Sequence, residues 1–218
     1  MGSCVKKSLG RLVFLIRHFK VKNHNNKIPE YNTTVILPKK QRIQKAINLF
    51  PKVSDCIYSP MLRAEITCKQ FINHGLKYSK LNIEPAIQEQ RLGILEGLSI
   101  SDAWKNIENH EKHSWSFMTA SFVPPSGPNR EPSESFDQVV NRVGVYLNSI
   151  DPNPELPPLT IFTHAGVIRA AISYCMEVDL NKALGFKINY FSITCFEKQQ
   201  TSLTGGSWQI HYINRDLN

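Results

Sequence analysis

Two arginines and two histidines stand out because each lies where an apolar run ends. Arg17 and His18 close the run Leu12 to Ile16, Arg63 follows the segment Asp55 to Ser59, and His164 closes Leu159 to Thr163. Core strands that carry ionisable groups to one end would bury them without partners at high cost, whereas a shared anion satisfies them. Taken singly, each has a plainer explanation. Arg63 can pair with Glu65 or Glu84 on a helix surface, and His164 can bond a backbone carbonyl. Their common placement at strand ends favours a site.

The elements that must position these groups follow from the apolar pattern. The run at Arg11 to Arg17 reads as a strand covered on both faces. Pro38 opens a basic amphipathic helix to Phe50, with Ile43, Ala46, Ile47 and Phe50 on one face. Asp55 to Ser59 is a short strand, and Pro60 starts a helix to about Asn73. After a strand near Ile83, a loop carries Glu89 to Leu98, and Ser101 or Asp102 caps a further helix. Phe122 to Ser135 is a loop rich in Pro, Ser and Asn. Ser135 and Gln138 then resemble a capping box ahead of a helix marked by Val139, Val140, Val143, Leu147 and Ile150. Leu159 to Thr163 is a buried strand followed by a helix over Gly166 to Met176. Tyr190 to Glu197 and Trp208 to Ile213 are late strands, turned at Gly205-Gly206. Alternating strands and helices predict an α/β fold with a largely parallel sheet, whose ligands sit beyond the carboxyl ends of the strands.

Composition narrows the function. A chain of 218 residues, 41% hydrophobic, is long enough for its own core, and one domain over residues 1–218 is expected. No apolar stretch is long enough to span a bilayer. Five dispersed cysteines without a CxxC pair point away from disulfides and structural zinc, and towards a reducing, cytoplasmic compartment. The opening Met1-Gly2-Ser3-Cys4 is similar to an acylation signal, but Lys6 stands where that signal has Ser or Thr, so an unmodified terminus is expected. A formal charge of +8 suits an anionic partner. The scattered basic residues, with no aromatic-basic platform or nucleic-acid motif, argue against nucleic acid, and Lys39 to Lys45 reads as a solvated helix face. His110 and His113, with Glu111 between them, lack a third convincing metal ligand, so no metal is expected there. No Walker loop or GxGxxG occurs.

Arg17-His18, Ser59-Pro60-Met61-Leu62-Arg63-Ala64-Glu65-Ile66-Thr67, Glu89 to Gly97, Ser133-Glu134-Ser135 and Phe162 to Arg169 together resemble, in order, five motifs of the histidine phosphatase, or phosphoglycerate mutase-like, superfamily. The resemblance implies a three-layer α/β/α sandwich with a mostly parallel sheet. It also implies a small cap insertion, at about 99–133, over the carboxyl ends of the strands. It implies a phosphomonoesterase acting on a small phosphorylated metabolite, with neither metal nor cofactor. His18 would be the nucleophile and Arg17, Arg63 and His164 the oxyanion-binding groups, with Asn23 as a further substrate contact.

A neutral imidazole is a competent nucleophile towards phosphorus, and the transferred phosphoryl group needs positioned cations and donors. A carboxyl group must protonate the departing alkoxide and then deprotonate the attacking water. Glu89, four residues before Gly93, matches the family's acid, and Glu96 competes for the role. Glu134 and Ser135 read as a helix start. Two alternatives stay open: phosphoglycerate mutase-type transfer, and a phosphate-binding interaction module that has lost turnover. The chain also departs from the pattern. Phe19 replaces the glycine after the nucleophile, which normally gives the phosphate close access to backbone. Val21 and His24 replace Thr and Asn, Leu95 a tryptophan and Ser133 a glycine, so a reshaped phosphate loop is expected.

Overall fold

The computed structural model describes residues 10–22, 27–107, 119–127, 132–200 and 206–217. Asn23, His24, the Met1-Gly2-Ser3-Cys4 opening, Gly205 and the His110-Glu111-His113 cluster lie outside them, as does much of the expected cap. Six strands form one sheet: β1 (Gly10–Arg17), β2 (Val53–Tyr58), β3 (Lys77–Ile83), β4 (Leu159–Thr163), β5 (Ser192–Gln199) and β6 (Trp208–Asp216). Their order is β3-β2-β4-β1-β5-β6. The first four are mutually parallel, β5 runs antiparallel to β1 beside it, and β6 runs antiparallel to β5, giving the mixed, mostly parallel sheet that the pattern predicts.

The continuous apolar run of β1 is explained by a core on each side. Val13 and Leu15 pack under α4 (Phe136–Ser149) and α5 (Ala165–Met176), joined by Leu159, Ile161 and Phe196. Phe14 and Ile16 point the other way, into a core with Phe162, Ile193 and residues of α1 (Lys40–Ile47) and α2 (Leu62–Asn73). Alternate residues of one strand thus fill opposite layers, as the period of two requires. A third, smaller core of Ile28, Leu95, Ala103, Ile107 and Phe122 gathers the loops after β1 and β3 with the short helix α3 (Ile100–Lys105). Backbone bonds from Ile28 N to Leu98 O and from Gly97 N to Ile28 O tie those loops together.

Several boundaries differ from the sequence expectation. Ser99, not Ser101 or Asp102, caps α3, because its hydroxyl accepts the Asp102 N–H at 3.1 Å and leaves Asp102 inside the first turn. Strand β5 begins at Ser192 and not at Tyr190, because Phe191 sits in the left-handed region at φ +57° and breaks the extended run. The one-turn helix α6 (Leu180–Ala183) lacks the length to leave a periodic signal. The capping box at Ser135 and Gln138 forms as read.

Candidate active site

Register brings the two histidines together. On the neighbouring parallel strands β1 and β4, Arg17 pairs with Thr163, so the next residues, His18 and His164, leave the sheet side by side. The His18 N–H donates to Thr163 O at 3.0 Å, and the two imidazole centroids lie 5.1 Å apart. The same logic places Ser59. Tyr58 of β2 pairs with Phe162 of β4, and the Ser59 N–H continues the ladder to Phe162 O at 3.0 Å. Its hydroxyl then lies 2.8 Å from His164 Nε2.

Hydrogen bonding settles the tautomers. Phe19 O lies 2.7 Å from His18 Nδ1, and a carbonyl only accepts, so Nδ1 carries the proton and Nε2 keeps its lone pair. Arg63 Nε donates to His164 Nδ1 at 3.2 Å, which leaves the His164 proton on Nε2, pointing at Ser59. Both rings are buried and titrate well below the ordinary histidine value. Loss of solvent is the main cause for each, and the neighbouring Arg63 and Arg17 add to it. The two imidazoles are therefore neutral near pH 7.

Arg17 and Arg63 are the cations of the site. The Arg63 Nη1 donates to the carbonyls of Glu30 (3.0 Å) and Tyr31 (3.2 Å), which anchors the loop after β1 over the site. Arg17 Nη1 donates to Ile188 O, its guanidinium lies 3.7 Å from the centre of the Tyr190 ring, and its Nε is buried without a hydrogen-bond partner among the described residues. An orphaned guanidinium N–H is costly, and an oxyanion is the group that removes the cost. Burial lowers the pKa of both arginines, and the carboxylate of Glu89 opposes that shift in each.

Glu89 reaches this cluster from its loop by capping α5. Its Oε2 accepts the Gly166 N–H at 3.3 Å, where the helix N-terminus favours a carboxylate. A Cβ on residue 166 would come within 2.2 Å of Glu89 Oε1 and displace that carboxylate, so glycine leaves room for this contact. Glu96 instead closes its own turn by accepting the Leu92 N–H at 3.2 Å, and among the groups of the site its field is felt at Arg63. Glu134 is structural as well. It is buried, accepts from Arg142 Nε and Nη2, both at 2.9 Å, and from the Arg91 N–H, and so braces the Glu89 loop against α4.

Phe19 does not reshape the site in the way its replacement of glycine suggests. Among the described residues the non-glycine positive φ angles belong to Glu177, Phe191 and Asn214, so the backbone at 19 has no need of glycine. The ring turns away from the histidines into the core, against Phe71 and Phe191, while its N–H donates to Thr67 Oγ1 at 3.1 Å. Thr67 in turn donates to Arg63 O at 2.7 Å, locking the loop after β1 to α2. Val21 is likewise buried, bridged to Val35.

The sequence profile of the Histidine phosphatase superfamily (branch 1) matches residues 13–215. The chain belongs to that superfamily. Solved structures agree on the fold. A mycobacterial glucosyl-3-phosphoglycerate phosphatase superposes with a TM-score of 0.69 at 15% identity, covering 95% of this chain and 100% of its own. A phosphoserine phosphatase variant from Entamoeba histolytica, in complex with phosphoserine, gives 0.66 at 15% identity over 93% of this chain and 96% of its own. The mycobacterial enzyme is also known in complex with inorganic phosphate, and that structure superposes with a TM-score of 0.66 at 15% identity over 95% of this chain and 98% of its own. No curated protein matches the chain significantly by sequence.

As a histidine phosphatase superfamily member, the chain brings together five of the six residues singled out from sequence: Arg17, His18, Arg63, Glu89 and His164. The sixth, Asn23, is outside the described residues. Three further groups belong to the site. Ser59 orients His164. Tyr190, 5.5 Å from the His18 ring, covers Arg17. Arg169, held by Phe186 O at 2.8 Å, feels the field of Glu89. Ser59 and Arg169 stood inside recognisable motifs, but their roles needed the fold. Tyr190 follows an irregular loop and had no sequence signal.

Proposed function

We propose that the protein is a phosphomonoesterase that hydrolyses a small phosphorylated metabolite through a phosphohistidine at His18 Nε2. One observation carries the reading: a neutral imidazole with its Nδ1 proton tied to Phe19 O stands beside a second histidine and an arginine whose Nε has no partner. In the first half-reaction the Nε2 lone pair attacks phosphorus and the P–O ester bond breaks. Glu89 relays to the departing alkoxide a proton that the singly ionised phosphate monoester brings into the site. In the second, water attacks the phosphohistidine and Glu89 takes its proton. The P–N bond then breaks with its electron pair returning to Nε2, and inorganic phosphate leaves.

Arg17, Arg63 and His164 hold the phosphoryl oxygens in both steps. His164 does so by gaining a proton at Nδ1. When the anion draws Arg63 Nε away from that atom, its two negative charges offset the lost solvation and the added repulsion that keep the ring neutral in the free protein, and Nδ1 takes a proton from solvent. Ser59 then keeps the ring in place through Nε2. No step requires a metal ion, so chelator-treated protein is expected to keep its activity, and loss of activity on chelation would count against the reading.

Hydrolysis of p-nitrophenyl phosphate and of a panel of sugar, amino-acid and nucleotide monophosphates tests the reading. Removing the nucleophile, His18→Ala, is expected to lower kcat by at least about a thousandfold, and Glu89→Gln by about a hundredfold with ester substrates. An acid-labile, base-stable label on wild-type protein after a substrate quench identifies phosphohistidine. Equal rates for wild type and His18→Ala would refute the assignment.

A further inference from the structure

The basic charge of this chain is concentrated in one place. From His18 to Lys45 there are seven lysines and arginines (Lys20, Lys22, Lys27, Lys39, Lys40, Arg42, Lys45) and one acidic residue, Glu30, so this stretch holds six of the eight net positive charges. The carboxylate of Glu30 lies against Gly97, and Arg42 leans on Asp216 at 3.9 Å. Lys20, Lys22, Lys39 and Lys40 have no ion-pair partner among the described residues.

A short antiparallel ribbon turns two of these lysines, Lys20 and Lys22, to one side. Lys22 N donates to Thr34 O at 2.9 Å and Ile36 N to Lys20 O at 2.7 Å, around the Val21–Val35 bridge. Both valines are buried. Neighbours in a strand face opposite ways, so Lys20, Lys22, Thr34 and Ile36 share the outer face. All four are exposed, Ile36 at 52%, and Leu37 beside it at 53%. Ile36, on the face it shares with Lys20 and Lys22, and the exposed Leu37 that follows it give this segment an amphipathic surface, which begins two residues after His18.

We propose that this ribbon docks the protein peripherally on an anionic lipid surface. Ile36 and Leu37 enter the headgroup boundary, while the lysines extend their stems along it and keep their ammonium groups at the phosphates. The exposed cations of the ribbon and of the residues that follow Leu37 are lysines, which suit diffuse attraction to a charged plane better than the bidentate pairing that arginine offers protein carboxylates. Aliphatic residues in place of stacked aromatics do not suit single-stranded nucleic acid. A second copy would set like charges against each other.

The test is co-sedimentation of the full, unacylated chain with vesicles of phosphatidylcholine alone or containing about 30% phosphatidylserine. Binding is expected on the anionic vesicles, with loss of most of it when NaCl rises from about 0.1 to about 0.5 M. Two variants, K20E/K22E and I36D/L37D, are each expected to bind at least about tenfold more weakly. Both keep wild-type circular dichroism and wild-type p-nitrophenyl phosphate turnover. Equal binding to neutral vesicles, or wild-type vesicle binding by K20E/K22E, overturns the proposal. So does absence of vesicle binding, whether the ribbon then takes an acidic peptide, an RNA or a second copy.

Discussion

Replacing Phe19 by alanine separates two accounts of the residue that follows His18. If the side chain works as a core residue, its removal costs stability and leaves the chemistry largely intact. The ring is 1% exposed, stacks on Phe71 with centroids 6.1 Å apart and meets Phe191 edge-on at 4.9 Å. Truncating a buried phenylalanine to alanine costs about 3–5 kcal/mol, from lost burial and the cavity left behind. At about 2–4 °C per kcal/mol for a chain of this size, the melting temperature falls by about 6–20 °C. The two contacts that shape the loop at His18, Phe19 N to Thr67 and Phe19 O to His18, are made by backbone atoms of residue 19 and survive the change. Some slackening of Phe191, and so of Tyr190, is expected, and kcat/KM for p-nitrophenyl phosphate well below the melting point stays within about tenfold of wild type. Urea unfolding supplies the stability difference and steady-state kinetics the rate. Unchanged stability with a rate altered by more than about a hundredfold would refute this placement of the side chain and return Phe19 to the phosphate loop.

Stability and pH offer a second check. His18 and His164 have folded pKa values depressed below the ordinary 6.5, so as pH falls below that value the unfolded chain binds protons that the folded chain refuses. Stability therefore drops with acidification, with up to about 1.4 kcal/mol per pH unit from each ring. Urea titrations from about pH 7.5 to about pH 4.5 should find His18→Gln less steep than wild type by up to one proton, and an unchanged slope would contradict burial of the neutral ring. Arg142→Ala leaves the Glu134 carboxylate buried with Arg91 as its remaining cation among the described residues, 3.7 Å away. The expected loss is about 3 kcal/mol, read by urea unfolding, and a loss below about 1 kcal/mol would make the bracing of the Glu89 loop unimportant.

Much of the site was legible in the linear chain because its parts are tied to strand ends. An apolar run that stops at Arg17-His18, and another that stops at His164, announce where the sheet ends. Parallel strands bring their carboxyl ends to one edge of the sheet. Motif order then supplied Arg63 and Glu89 and the family with them. Local chemistry was equally readable at Ser135, where the cap and its partner Gln138 lie three residues apart.

Other features depend on which segments meet, and no local pattern records that. Phe19 looked like a defect in the phosphate loop until the fold turned its ring into the core beside Phe71 and Phe191. Glu89 reaches the start of α5, 77 residues away, at Gly166 N, while Glu96 closes its own turn at Leu92 N. The proton positions on His18 and His164 follow from Phe19 O and Arg63 Nε, the second of which crosses 101 residues. Residue type and spacing along the chain specify which groups can do chemistry. Burial, register and hydrogen-bond partners are properties of the assembled sheet, and they decide the protonation state and aim of each group.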